Sequence, residues 1–176
     1  MKKILSIIIA FTLIFALFSC GCQEDSERFE DYYQMGLFYS IPRSFEQRNL
    51  SYGDCVYTDG EAYFFFNAFD EQNLVEDMHL SPEIPAKEYT ELYILFLNKD
   101  VEYEYDEETM STYFEYVYEY DDGVTPNEYY RHMISRNDTY VYQATVTCNE
   151  EDKDKYSDVF DRIMQSVRVN QIIIEE

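Results

Sequence analysis

Apolar and polar positions along the chain follow three rhythms. From Ile4 to Phe18 the residues are almost all apolar, with no period. From about Phe29 onward, short stretches alternate apolar with polar side chains, the pattern of strands with one covered face. Around Tyr89 and again around Tyr156 the apolar spacing lengthens to that of an amphipathic helix.

Two tight turns predict register within the alternating stretches. Asp59-Gly60 lies between GDCVYT and EAYFFFNAF, and a two-residue turn there pairs Thr58 with Glu61. One face then carries Cys55, Tyr57, Ala62, Phe64 and Phe66 and is the expected core side. Asn137-Asp138 predicts a second hairpin with Arg136 opposite Thr139, Arg131 opposite Ala144 and His132 opposite Gln143. Tyr129, Arg131, Met133, Tyr140, Tyr142, Ala144, Val146 and Cys148 share its core side. The opposite side, with His132, Gln143, Thr145 and Thr147, reads as the wetter one. Arg131 breaks the apolar rule, so it either reaches an edge or takes a buried acidic partner. Between the hairpins, VEYEYDEETMSTYFEYVYEYDD predicts two strands, with Phe114, Tyr116, Tyr118 and Tyr120 on one face.

Helices are expected in three places. Asn149 caps the most secure of them, with Tyr156, Val159, Phe160, Ile163, Met164 and Val167 facing inward. A second runs from near Ala86 to Asn98, with Tyr89, Leu92, Leu95 and Phe96 inward, although ELYILFLN also fits a strand. A short third covers Asp70 to His79. Ser166 to Val169 and Gln171 to Ile174 read as extended.

The opening segment changes the picture of where the chain works. Lys2 and Lys3 precede the apolar run, which ends at Ser19-Cys20, the layout of a secretory leader over residues 1–19. Leu17-Phe18-Ser19-Cys20-Gly21 resembles the bacterial lipobox, in which a small residue precedes a cysteine that is acylated on sulfur and becomes the new N-terminus. That resemblance implies a diacylglyceryl group on Cys20, a lipidated tether over 20–28 and a globular domain over 29–176. Two acyl chains suffice for stable anchoring at the outer side of the cell membrane. The alternative, an uncleaved anchor with Cys20 an ordinary thiol, fits less well: the run is short of the roughly 20 residues a spanning helix needs, and acids follow it. With Cys20 acylated, Cys55 and Cys148 either pair in an oxidising compartment or lie buried as small hydrophobes.

Charge narrows the partners. The 176 residues carry 36 Asp and Glu against 13 Lys and Arg, a net charge of −23, which excludes phosphate-seeking nucleic-acid binding. Nineteen Tyr and thirteen Phe, with no Trp, provide enough apolar surface for one folded domain despite that charge.

Known catalytic patterns are missing: the chain has no HExxH, CxxC, GxSxG or GxGxxG. His79 and His132 have no nucleophile or metal ligand at a defining spacing. The acid clusters at Asp106-Glu107-Glu108, Asp121-Asp122 and Glu150-Glu151-Asp152 lack the calcium-loop spacing and read as turn and cap residues. No cofactor is expected, and a non-enzymatic role follows.

The order of elements, with a strand ending in Ile41-Pro42-Arg43-Ser44-Phe45 and a last helix from Tyr156 leading into Ser166-Val167-Arg168, resembles the PsbP-like fold. That group includes the photosystem subunit PsbP, a Ran-binding nuclear import factor and bacterial lipoproteins. The resemblance implies an α+β fold, an antiparallel sheet flanked by helices on both faces, and a binding or assembly role through protein contacts. The chain departs from it in having no Trp near Phe45. Two functions are then expected in order: recognition of a basic envelope or exported protein, and alternatively binding of a small molecule or cation in a sheet–helix pocket where Arg131, His132 and Gln143 converge.

Overall fold

The computed structural model describes residues 28–51 and 53–170. The leader, Cys20, most of the tether and the extended reading of Gln171 to Ile174 lie outside the described residues. In chain order the elements are β1 (Phe29–Gln34), β2 (Leu37–Pro42), β3 (Glu46–Arg48), β4 (Cys55–Thr58), β5 (Ala62–Phe69), a short π-type turn (Asn73–Asp77), α1 (Ala86–Leu97), β6 (Tyr103–Asp106), β7 (Ser111–Tyr118), β8 (Glu128–Arg136), β9 (Val141–Asn149), a 3₁₀ turn (Glu150–Asp152), α2 (Lys153–Ser166) and β10 (Arg168–Val169). A seven-stranded antiparallel sheet runs in the order β3-β4-β5-β9-β8-β7-β6, and a small sheet in the order β1-β2-β10. Helix α1 covers one face of the large sheet; α2 and the small sheet cover the other. This is the antiparallel sheet with helices on both sides that the resemblance implies.

Both hairpins form, each with its register displaced by two residues from a two-residue turn. Thr58 faces Tyr63, and Arg136 faces Val141. The cause is a side chain at the head of each loop. Asp59 Oδ1 accepts from the backbone N–H groups of Glu61 and Ala62, and Asn137 Oδ1 accepts from those of Thr139 and Tyr140. Each wraps its loop into a wider turn. A shift of two preserves which face every side chain takes, so Cys55, Tyr57, Ala62, Phe64 and Phe66 all enter the core as expected.

The side of the second hairpin that reads as wetter is in fact buried. Strand β9 has no exposed position from Val141 to Cys148, and its Gln143 and Thr145 turn to His132 on the α1 side of the sheet. Helix α2 buries Tyr156, Phe160, Ile163 and Met164 as expected, and Val167 just past its end is buried too, while Val159 is only partly covered. Asn149 makes no side-chain cap bond, because a 3₁₀ turn stands between it and the helix. There the Glu150 N–H is taken by the Asn127 carbonyl instead, at 2.8 Å.

Helix α1 is rotated from its expected orientation. Ala86, Tyr89 and Thr90 are buried and Tyr93, Ile94 and Leu97 partly so, whereas Leu92, Leu95 and Phe96 face outward. The Thr90 hydroxyl meets that of Thr112 on β7 at 2.5 Å and donates to the Ala86 carbonyl at 2.9 Å. That pair settles the rotation, because Tyr93 to Leu97 is apolar all round and selects no face by itself.

Phe160→Ala should cost about 3–5 kcal/mol, the usual loss for emptying a fully packed aromatic position, while Leu95→Ala should change stability by less than about 0.5 kcal/mol. Urea unfolding of the two variants checks both; equal losses would contradict the outward placement of Leu95.

Candidate interaction site

Strand β8 sends neighbouring side chains to opposite faces. Arg131 therefore points toward α2, and His132 toward α1, where Gln143 joins it from β9. The expected convergence of Arg131, His132 and Gln143 does not occur, since a sheet separates the first from the other two.

Arg131 takes the acidic partners its position calls for. Its guanidinium donates to Glu115 Oε2 at 3.3 Å, to the Tyr129 hydroxyl at 3.0 Å, and to Asp161 on α2. Lys153 adds a bond to Glu115 Oε1 at 3.1 Å and lies over the Tyr129 ring. Burial works against ionisation of Glu115, but the Tyr129 hydroxyl at 2.5 Å and the Lys153 ammonium outweigh it and hold the carboxyl below its ordinary range. The Arg131 side chain is 22 % exposed and its acids about half exposed, so the cluster straps α2 to β7 and β8.

Cys55 and Cys148 are free thiols, both buried. They stand on β4 and β9 with β5 between, Cys55 opposite Phe66 and Cys148 opposite Ala62. Two strand spacings of about 4.8 Å, and the offset along β5, exceed the span of a disulfide. Burial also pushes the Cys148 thiol up to about 11, so it carries no nucleophilic thiolate near neutrality.

An open groove of about 1070 Å³ lies between α2, the end of β2 and the β4–β5 loop. Phe29, Pro42, Phe45 and Val159 form its apolar floor, and Asp59, Glu61, Asp158 and Asp161 stand along it. Its two bases are engaged: Lys155 bonds Glu61, and the Arg162 guanidinium lies 3.8 Å from the centre of the Phe29 ring. Tyr156 closes one end by donating to Asp59 Oδ2 at 2.8 Å. Pro42 and Phe45, singled out in the sequence by resemblance alone, meet here with Tyr156, which the helical pattern turns inward. The acids contributed by the β4–β5 loop were not expected at a site.

The same internal use of bases holds elsewhere. Arg43 pairs with Glu30 and Arg48 with Glu46. Arg136 donates to the carbonyls of Ile84 and Pro82, and Lys99 to that of Val117. Lys87 leans over the Tyr105 ring. Acids at turns are wrapped differently: Asp106 accepts from the N–H groups of Glu108 and Thr109, and Asp122 from those of Val124 and Thr125. The Thr125 hydroxyl, followed by the N–H groups, lowers the Asp122 carboxyl below its ordinary value, and the Glu108 N–H, with the hydroxyl and N–H of Thr109, does the same for Asp106. Among the described residues, no group of three or more His, Cys, Asp or Glu is arranged to hold a metal ion.

His132 lies in an aromatic stack with Phe114 at 4.8 Å, Tyr116 at 5.5 Å and Tyr130 at 6.0 Å between ring centres, and Tyr93 meets it edgewise from α1. Its Nδ1 is 2.8 Å from Thr145 Oγ1 and 3.3 Å from Gln143 Nε2, while its Nε2 has no partner. An amide nitrogen only donates, so Nδ1 accepts and the ring proton sits on Nε2. Desolvation lowers the imidazole from 6.5 to about 3. Between those two values the unfolded chain binds a proton that the folded chain refuses, so stability falls with falling pH by about 1.4 kcal/mol per unit, with no such slope above the upper value. Relative to His132→Gln, which titrates nothing, the native protein should lose about 3 kcal/mol between pH 7 and pH 4; denaturant titrations at both pH values measure the difference, and parallel losses would show that the ring charges in place.

No family profile and no curated protein matches the chain. Solved structures do. Cyanobacterial PsbP (CyanoP) from Synechocystis sp. PCC 6803 superposes with a TM-score of 0.51 at 13 % identity, covering 85 % of this chain and 96 % of that one. The Saccharomyces cerevisiae Ran-binding protein Mog1p gives 0.53 at 8 % identity, over 82 % and 96 %. A Bacteroides thetaiotaomicron VPI-5482 protein gives 0.52 at 9 % identity, over 81 % of this chain and 49 % of that one. The fold of this chain is thus PsbP-like, an α+β antiparallel sheet flanked by helices.

Proposed function

We propose that this protein is a lipid-anchored, non-enzymatic binding domain on the outer side of a bacterial cell membrane, and that it recognises a basic protein partner. The observation that carries the partner chemistry is the engagement of its bases. With Arg43, Arg48, Arg131, Lys153 and Lys155 bonded to carboxylates, and Lys99 and Arg136 to carbonyls, the field outside the molecule belongs to the remaining acids. Such a surface attracts cationic partners and repels nucleic acid and anionic lipid headgroups. A fold shared with a Ran-binding protein supports, by analogy of fold, recognition of a protein. The groove beside α2 adds to that acidic surface, with Asp59, Glu61, Asp158 and Asp161 along it.

The anchoring reading rests on Cys20 and the segment before it. Two acyl chains would fix the domain at the membrane without a basic patch. Cys20→Ser should move the protein from the membrane fraction to the soluble one, or leave it unprocessed, and remove the fatty mass from its N-terminal peptide. Fractionation and mass spectrometry of the two forms check this; an unaltered mass and location would overturn the anchor.

A further inference from the structure

We infer that the outer face of α1 is the anchor point for that partner, and that it takes an amphipathic segment whose apolar side chains are flanked by Lys or Arg. The inference rests on the reading of the protein as a binding domain for a basic partner. Leu92, Leu95 and Phe96 lie on adjacent turns and are 39 %, 74 % and 83 % exposed. Isolated apolar residues at a surface are ordinary, but three at i, i+3 and i+4 form one continuous strip, which marks a contact surface. Exposed aliphatic and aromatic side chains on a rigid helix lose little freedom on binding.

Charge around the strip selects the occupant. Glu88 and Glu91 stand on the exposed side of the same helix, and Asp100 and Glu102 follow its end, all four exposed. Glu91 accepts from the Tyr103 hydroxyl at 2.6 Å. The helix ends at Asn98, so the negative end of its dipole lies one turn from Leu95 and Phe96. The two bases of the segment are turned away, Lys87 over Tyr105 at 5.8 Å and Lys99 onto the Val117 carbonyl and the ring of Tyr118 at 5.2 Å. The strip is therefore apolar at its centre and acidic around it. A cationic amphipathic segment complements both features. A second copy of this chain would bring acids against acids, and an anionic bilayer would repel the same carboxylates.

The test titrates the mature lipoprotein in detergent micelles with two synthetic helical peptides, one with a Leu face and a Lys face, the other with Glu replacing Lys. The Leu/Lys peptide should bind and the Leu/Glu peptide should not. The Leu95→Ser, Phe96→Ser double variant should weaken binding about tenfold with an unchanged melting temperature, while Asp158→Ser, on the groove beside α2, should alter it less than twofold. Leu95→Lys alone should weaken it comparably and serves if the double variant fails to fold. Binding that is lost with Asp158→Ser but kept in the α1 variants would overturn the assignment to α1 and leave the basic-partner reading standing. Failure of the Leu/Lys peptide to bind the native protein would remove that reading, and the inference with it. Equal binding of both peptides, dimerisation in sedimentation velocity abolished by Leu95→Lys, or vesicle flotation that depends on Leu95 would each overturn the proposed occupant.

Discussion

Strand β9 is buried on both faces, and the rest of the molecule is arranged to satisfy it. It lies between β5 and β8 near the middle of the seven-stranded sheet, with α1 on one side and α2 with the small sheet on the other. A polar side chain in that position costs about 1–3 kcal/mol if left unpaired, so each one dictates a neighbour. Thr145 and Gln143 turn to His132 and thereby set its tautomer. Tyr142 reaches out of the sheet to the β1–β2 turn, donating to the Met35 carbonyl at 2.7 Å and accepting from Asn137 at 3.0 Å. That contact leaves no room at the turn: a Cβ on Gly36 would lie 2.6 Å from the Tyr142 hydroxyl, and the backbone there has φ +84°. One buried phenol thus ties the small sheet to the large one and demands glycine at a distant turn.

How far the sequence exposes this arrangement depends on the kind of information each feature needs. Face assignment needs only parity, which is why the side-chain lists for both hairpins survive a register displaced by two. Register itself needs the loop length, and that is decided by Asp59 and Asn137 bonding their own backbones, a competition that a simple turn dipeptide conceals. The buried side of β9 reads as wet because Thr, Gln and His are solvent-seeking side chains, and only their mutual hydrogen bonds allow their burial. The groove beside α2 draws on Phe29, Phe45, Asp59 and Val159, residues too far apart in sequence for any spacing to unite them. The separation of Arg131 from His132, against the convergence expected of them, needs only strand parity: adjacent residues on a strand cannot share a pocket on one face.

Acidity and folding are reconciled by where the bases go. A net charge of −23 destabilises any compact state through self-repulsion. The bases are placed to offset it locally: Arg131 and Lys153 gather around Glu115, and Lys155 meets Glu61 beside the Asp59 turn. Asp106 and Asp122 are met by backbone N–H groups, which need no cation. The remaining acids are left on the surface, so the charge pattern that permits folding also determines what the surface attracts. Surface pairs of this kind contribute modestly one by one, and their larger effect here is on the sign of the external field.

The same economy explains α1. A helix resting on a sheet buries a stripe of roughly a third to a half of its circumference, yet Tyr93-Ile94-Leu95-Phe96-Leu97 is apolar in every direction. No rotation about the helix axis can bury all five. Thr90 and Tyr89 commit the helix to the orientation in which Thr112 and Phe69 receive them, and the surplus, Leu95 and Phe96, is then forced outward. Had the helix served only to cover the sheet, polar residues at 95 and 96 would cover it equally well and dissolve better. The surplus is a property of the sequence, independent of how the helix is turned, and it is accounted for by a second surface that α1 covers.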